Sequence, residues 1–177
     1  SQPGPFVDLN AQPPLSYRLV DMDHYRRRLF GMDHVSFNSS RGCPFRCSFC
    51  WDPVLHGRRW RAMEPETVMD HLRRVIRDYG IRGFLFTDDF FFADLARARG
   101  ILEAVVRSGL GISISKLQVR ADTVCRMDRE FLDLLVRANV RRLTIGVESG
   151  SQALLDLLRK DATVEEVHEA NARLKAH

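Results

Sequence analysis

From His34 onward the apolar positions alternate between two periods. Val35-Ser36-Phe37-Asn38, Phe84-Leu85-Phe86, Ile112-Ser113-Ile114-Ser115-Lys116-Leu117 and Leu143-Thr144-Ile145-Gly146-Val147 are short runs rich in β-branched and aromatic residues, the pattern of strands. Helical stripes separate them. Val68, Leu72, Val75, Ile76 and Tyr79 share one face of a helix that starts at Pro65 and stops at Gly80. Leu95, Ile101, Leu102, Val105 and Val106 form the next stripe, closed by Gly109 and weakened by about 1 kcal/mol of propensity at Gly100. Asp128 is placed to cap a third helix with Phe131, Leu134, Leu135 and Ala138 buried and Asn139 as its left-handed stop. A short helix through Leu154, Leu155 and Leu158 follows, and Thr163 with Glu166 forms a capping box for a last one.

Strands recurring roughly every 30 residues with helices between them predict parallel βαβ units, of which about four are visible. The third strand alternates apolar and polar side chains, so in a closed barrel its polar side would line the interior. The expected fold class is therefore α/β, with parallel βα units. Residues 1–33 differ. Pro3, Pro5, Pro13 and Pro14 and the lack of a sustained period predict an extended connector, with one short turn within Asp23 to Phe30, ahead of a core spanning residues 34–177.

Composition narrows the class. At 177 residues the chain is one domain by length, and 45% hydrophobic and 28% charged residues are ordinary for a globular protein. The formal charge of +4 is scattered in short arginine pairs and triplets, as on solvated faces. No apolar run approaches the roughly 18 residues of a membrane span, and no secretory signal precedes the first strand. The expectation is an intracellular, cytoplasmic protein with no membrane partner. The start at Ser1 and the stop at His177, inside a helical pattern, read as a piece of something longer.

The chemistry is concentrated in Arg41-Gly42-Cys43-Pro44-Phe45-Arg46-Cys47-Ser48-Phe49-Cys50. Three cysteines spaced C-x3-C-x2-C on a short loop can turn their sulfurs toward one centre. Soft thiolates select iron-sulfur clusters, and three without a fourth leave one iron of a 4Fe-4S cluster open to a ligand. Structural zinc is the competing reading, but it wants four closed ligands, and His56 lies beyond Asp52-Pro53. A disulfide would leave one cysteine of the trio unpaired. Cys125 reads as a small buried apolar residue. His24, His34, His56, His71, His168 and His177 share no metal spacing.

In parallel α/β architectures ligands sit at the carboxyl ends of the strands. Here those ends carry the cysteine loop, Asp88-Asp89, Gln118 with Arg120, and Glu148-Ser149. Each has a structural alternative: Asp88-Asp89 as a helix cap, Arg120 with Asp122 as a surface ion pair, and Glu148-Ser149-Gly150 as a turn.

Cys43, Cys47, Phe49 and Cys50 match the C-x3-C-x-aromatic-C hallmark of the radical S-adenosylmethionine superfamily, which the chain resembles over about residues 34 to 177. Together with Phe86-Thr87-Asp88-Asp89-Phe90, Arg120-Ala121-Asp122 and Gly146-Val147-Glu148-Ser149-Gly150, the motif resembles the cobalamin-associated branch and its methylthiotransferase-like relatives. The resemblance implies that Cys43, Cys47 and Cys50 ligate three irons of a 4Fe-4S cluster while the fourth chelates the amino and carboxylate groups of S-adenosylmethionine. It implies Phe49 near the adenine, Asp88 or Asp89 at the methionine amino end, Arg120 toward the carboxylate, and Glu148 with Ser149 at ribose and carboxylate. It further implies reductive cleavage of S-adenosylmethionine to a 5'-deoxyadenosyl radical for methyl transfer or methylthiolation. The electron donor would be a protein such as flavodoxin or ferredoxin, and cobalamin would belong to the full-length protein. The resemblance implies a partial parallel (β/α) barrel of TIM-like type, since the superfamily core usually has six strand-helix units, against about four here. The reading from a different class is a non-catalytic, metal-stabilised module that docks RNA or protein.

Overall fold

The computed structural model describes residues 6–14 and 17–177, so Pro3 and Pro5 of the expected connector lie outside the described residues. The rest of that stretch is more structured than its prolines predict. Single 3-10 turns form at Tyr17–Leu19 and Met22–His24, and Arg27–Leu29 is a strand, β1, antiparallel to Met32–Phe37, β2. Phe30 and Gly31 both take positive φ, 48° and 80°, as a two-residue hairpin turn that follows strand twist requires. The Phe-Gly turn is an uncommon signal, which is why the hairpin was not legible in the sequence.

After β2 comes a two-stranded excursion. Ser40–Arg41 (β3) pairs antiparallel with Arg61–Ala62 (β4), and the cysteines and a short helix, Asp52–His56 (α1), occupy the intervening loop. The regular βα series then follows the predicted pattern. Pro65–Tyr79 (α2) stops at Gly80 in the left-handed conformation, Gly83–Phe86 is β5, and Leu95–Ser108 (α3) is capped by Asp94 and stopped by Gly109. Ser113–Val119 (β6) leads into Ala121–Cys125 (α4), a short helix not expected from the sequence. Arg129–Arg137 (α5) follows, with Asp128 accepting from the Phe131 N–H as expected. Leu143–Ile145 (β7), Gln152–Leu157 (α6) and Val164–Lys175 (α7), the last opened by the Thr163–Glu166 capping box, complete the chain.

The main sheet has the order β1-β2-β5-β6-β7, and its last three pairings are parallel. One residue is added in β6 where its register with β5 slips between Phe84 and Leu85, and the Ser115 hydroxyl donates back to the Phe84 carbonyl at 3.2 Å. Val35, Phe37, Phe84, Phe86, Ile114, Leu117 and Val119 are buried with Val68, Leu72, Ile101, Leu102, Phe131 and Leu135 of the covering helices. Edge-on aromatic contacts run from Phe37 to Phe86, Phe91 and Phe92, at 5.5, 5.4 and 5.0 Å between centroids. The opposite face is polar and open: Ser36, Gln118 and Thr144 are exposed and Lys116 half-buried. The alternation read in the third strand holds only in part: Ile112, Ile114 and Leu117 are buried and Lys116 turns to the open side, but Ser113 and Ser115 are buried too, Ser115 as the added residue bonded to the Phe84 carbonyl. Among the described residues no helix is long and apolar enough to cross a membrane.

Leu117 is fully buried at the centre of β6. Leu117→Ala should lower the unfolding free energy by about 2–5 kcal/mol in urea titrations, through lost burial and the cavity it leaves.

Candidate functional site

The cysteine loop is anchored at its root. Where β2 ends, Asn38 donates to the Thr87 carbonyl at 2.6 Å, and the buried Ser39 and Ser40 turn toward the end of β5. There Asp88 Oδ1 accepts from the Ser39 N–H (3.1 Å), the Ser39 hydroxyl (2.7 Å) and the Ser40 hydroxyl (2.6 Å). Burial raises the Asp88 pKa, opposed by these hydrogen bonds and by the Arg97 charge. Asp89 accepts from the Gly42 N–H at 2.8 Å, and Asp52 from the Cys43 N–H at 2.7 Å. Gly42 has φ +86°, and a Cβ there would run into the Arg59 carbonyl, so the loop's entry requires glycine. Neither Asp88 nor Asp89 caps the next helix; Asp94 does that.

The far side of the loop is tied to the α6–α7 connection. Ser48 donates its N–H to the Leu158 carbonyl at 2.9 Å, and Arg46 forms a two-pronged pair with Asp161, both bonds at 2.9 Å. Arg120, only 6% exposed, stacks its guanidinium 3.6 Å over the Phe45 ring and donates to the Lys160 and Asp161 carbonyls. It also pairs with Asp122 at 2.8 Å and reaches Cys47 Sγ at 3.9 Å. The Arg120–Asp122 ion pair thus exists, but it is buried in the site, not on the surface.

These tethers leave Cys43, Cys47 and Cys50 free and half-buried on the wall of a cavity of about 310 Å³. Phe49, Asp89, Gln118, Arg120, Thr144, Glu148 and Lys160 share that wall. A second cavity of about 280 Å³, containing Asp88, Asp89 and Lys116, shares Cys43 and Cys50 with it. A larger one, about 330 Å³ among Tyr17, Met22, Tyr25 and Val35, carries no cysteine, so volume alone does not mark the site.

The donor set suits an iron-sulfur cluster. All three sulfurs are unpaired and face shared cavities, and among the described residues no fourth cysteine or histidine lines them. Cys125 is occupied elsewhere, its thiol 3.4 Å from the Glu166 carbonyl. Burial first, then Asp52 and the two neighbouring thiols, push the Cys43 pKa up to about 11 against a lowering backbone hydrogen bond at Phe45. Without metal charge beside it that thiol keeps its proton at neutral pH, and ligation must release it.

The remaining expected residues separate into two groups. Phe49 is 54% exposed at the mouth, with Lys160 Nζ 5.9 Å from its ring centre. Glu148 lines the cavity in a left-handed conformation, φ 63°, with Oε1 accepting from the buried Lys160 at 2.8 Å. A non-glycine residue in that region is held there by its surroundings. Ser149 instead serves the turn: its hydroxyl accepts from the Ser151 N–H at 3.0 Å, and it is not among the residues lining the cavity. Lys160, Phe45, Thr144 and Asp52 were missed as site residues. Lys160 follows a short helix with no motif of its own, and only its spacing of 12 from Glu148 hints at the pair.

Comparison with known proteins agrees with this geometry. An uncharacterised methyltransferase of Pyrococcus horikoshii is 30% identical over 165 residues, covering 91% of this chain and 34% of that protein. The anaerobic magnesium-protoporphyrin IX monomethyl ester cyclase of Cereibacter sphaeroides is 29% identical over 164 residues, 92% of this chain and 26% of its own. The cytidylyl-2-hydroxyethylphosphonate methyltransferase of Streptomyces wedmorensis is 31% identical over 128 residues, 72% and 23% respectively. The chain thus spans about a quarter to a third of the length of these curated relatives. Among solved structures, the methyltransferase TsrM of Kitasatospora setae with cobalamin and a 4Fe-4S cluster bound superposes with TM-score 0.71 at 24% identity, over 94% of this chain and 32% of TsrM. The cobalamin-dependent enzyme OxsB with aqua-cobalamin and S-adenosylmethionine bound gives 0.65 at 28%, over 80% and 22%. The sheet is accordingly a curled half-barrel, part of a radical-enzyme barrel. The family model for the radical SAM superfamily matches residues 37–177, and the chain belongs to that superfamily of enzymes, whose shared cofactors are a 4Fe-4S cluster and S-adenosylmethionine.

Proposed function

We propose that Cys43, Cys47 and Cys50 hold the 4Fe-4S cluster and that the cavity beside them receives S-adenosylmethionine for radical initiation. The observation that carries this reading is three unpaired thiols, in the C-x3-C-x-aromatic-C spacing, on the wall of one cavity at the strand ends. When bound at these thiols, a reduced cluster would supply the low-potential one-electron chemistry that reductive cleavage of S-adenosylmethionine to a 5'-deoxyadenosyl radical requires.

The chain's own residues bind, orient and shield. Phe49 offers an exposed ring at the mouth for the adenine, and Glu148, fixed by Lys160, offers a carboxylate to ribose hydroxyls or the methionine amino group. Asp89 lines both cavities, whereas Asp88 is spent on Ser39 and Ser40 and supports the loop from beneath. Arg120 has most of its donors engaged, which favours an electrostatic role toward Cys47 and a bound carboxylate over a direct fork. Ser149 contributes through the turn that presents Glu148. The methyltransferase and cyclase relatives, and the cobalamin in the two structural neighbours, support methyl transfer or a related radical reaction, with cobalamin in the full-length protein. A small electron-transfer protein such as flavodoxin or ferredoxin would supply the reductant.

Anaerobic reconstitution should load about four irons per chain. Cys43→Ala, Cys47→Ala and Cys50→Ala should each abolish the iron-sulfur absorbance. Iron content unchanged in all three would sink the assignment, and zinc in place of iron would favour a structural metal module docking RNA or protein. Glu148→Ala should weaken S-adenosylmethionine binding about tenfold or more, through loss of a charged hydrogen bond worth about 1.5–3 kcal/mol, with iron content intact. Equal affinity in calorimetry would remove Glu148 from the cofactor site.

A further inference from the structure

Two backbone amides at the entrance of the cysteine loop are directed to carboxylates. The Gly42 N–H is held by Asp89 Oδ2 at 2.8 Å and the Cys43 N–H by Asp52 Oδ2 at 2.7 Å. His56 stands between the two acids, beyond hydrogen-bond distance of either. Its Nε2 lies 3.9 Å from Asp89 Oδ2 and 4.0 Å from Asp52 Oδ1, an oxygen that is buried and has no hydrogen-bond partner. Asp52 and His56 are i and i+4 on α1, while Asp89 follows β5, so the arrangement links two separate elements across the loop.

One ligand atom from each of Asp52, His56 and Asp89 falls within 4.8 Å of the others, a spacing that would also admit a cation. The contact with Arg61 favours the protein-only arrangement. Its Nη2 approaches His56 Nδ1 at 3.5 Å, and its guanidinium lies 4.4 Å from the centre of the Phe6 ring. A guanidinium only donates, so in that contact Nδ1 is the acceptor and the ring hydrogen sits on Nε2, facing the carboxylates. A metal at that point would meet an N–H where it needs a lone pair.

We propose that Asp52, His56 and Asp89 form a clasp that diverts the Gly42 and Cys43 amides from the cluster sulfurs and keeps the cluster's reduction potential low. The proposal rests on the cluster reading above. Hydrogen bonds to cluster sulfurs stabilise the extra electron and raise the potential, so amides spent on carboxylates withhold that stabilisation. The carboxylates also place negative charge beside the cluster, which opposes its reduction. His56 is a positioning residue: its Nε2, standing between two like-charged acids, offsets their repulsion and so helps to keep both turned toward the two amides.

The test is an electron-spin-resonance redox titration of reconstituted protein, with iron content measured on the same samples. Asp89→Asn retains an acceptor for the Gly42 N–H and loses the charge, whereas Asp89→Ala loses both. The expected result is full iron loading, a more positive midpoint potential in Asp89→Asn and a larger shift in Asp89→Ala. His56→Ala should shift the potential in the same direction, and His56→Gln, whose amide still donates, should recover part of it. Should Asp89→Ala not fold, Asp89→Asn and the His56 pair carry the comparison. Wild-type potentials in the Asp89 and His56 variants with full iron would overturn the clasp and leave the cluster assignment standing. Loss of iron in the cysteine variants speaks only to that assignment. One divalent ion per chain in the Cys43/Cys47/Cys50 triple alanine variant, absent after His56→Ala, would overturn the clasp in favour of a cation site.

Discussion

The carboxylate of Asp88 is where scaffold and loop become one object. It sits 5% exposed at the end of β5 and gathers three hydrogen bonds from Ser39 and Ser40, the residues on which β2 hands over to the cysteine loop. Arg97 completes the joint, donating to the carbonyls of Met63 at 2.6 Å and Ser39 at 2.9 Å. A buried carboxyl depends on its hydrogen bonds, and all three that Asp88 Oδ1 accepts come from the loop's first residues, so the position of the loop relative to the sheet has few alternatives. The site above it inherits that placement.

A second constraint is the division between the two faces of the sheet. Helices α2, α3 and α5 cover the apolar face, which frees the other to carry Lys116, Gln118 and Thr144 toward the cavities. A strand buried on both sides would have no place for such residues. The sheet therefore does two tasks: one face anchors the core, and the other furnishes a polar wall through Lys116, Gln118 and Thr144.

Much of this was legible in the sequence, for identifiable reasons. Pro65, Gly80, Gly109, Asp128, Asn139 and the Thr163–Glu166 box are local signals that need no tertiary information, and each does in the structure what its chemistry predicts. The cysteine trio was equally plain, because its spacing carries its meaning. What escaped notice depends on long-range pairing. The β1–β2 hairpin turns on Phe30-Gly31, and α1 is too short for a period. Lys160 acquires its role only by meeting Glu148 in space. Asp88 and Asp89, adjacent in sequence, proved to have different partners, Ser39 with Ser40 for one and Gly42 for the other, which no local pattern distinguishes.

The ties between the cysteine loop and the α6–α7 connection bear on the order in which the protein is made. Arg46 and Asp161 are 115 residues apart, so the thiols emerge from the ribosome long before the backbone that braces them. Contacts of such separation form late, after the entropy of closing a long loop has been overcome by the intervening core. Until then the loop of Cys43, Cys47 and Cys50 is held by Asp88, Asp89 and Asp52 at its entrance and by Arg120 on Phe45, with its far side unbraced. Completion of the last helices then braces that loop from the far side, so the geometry of the thiol-lined wall is among the last features of the fold to be set.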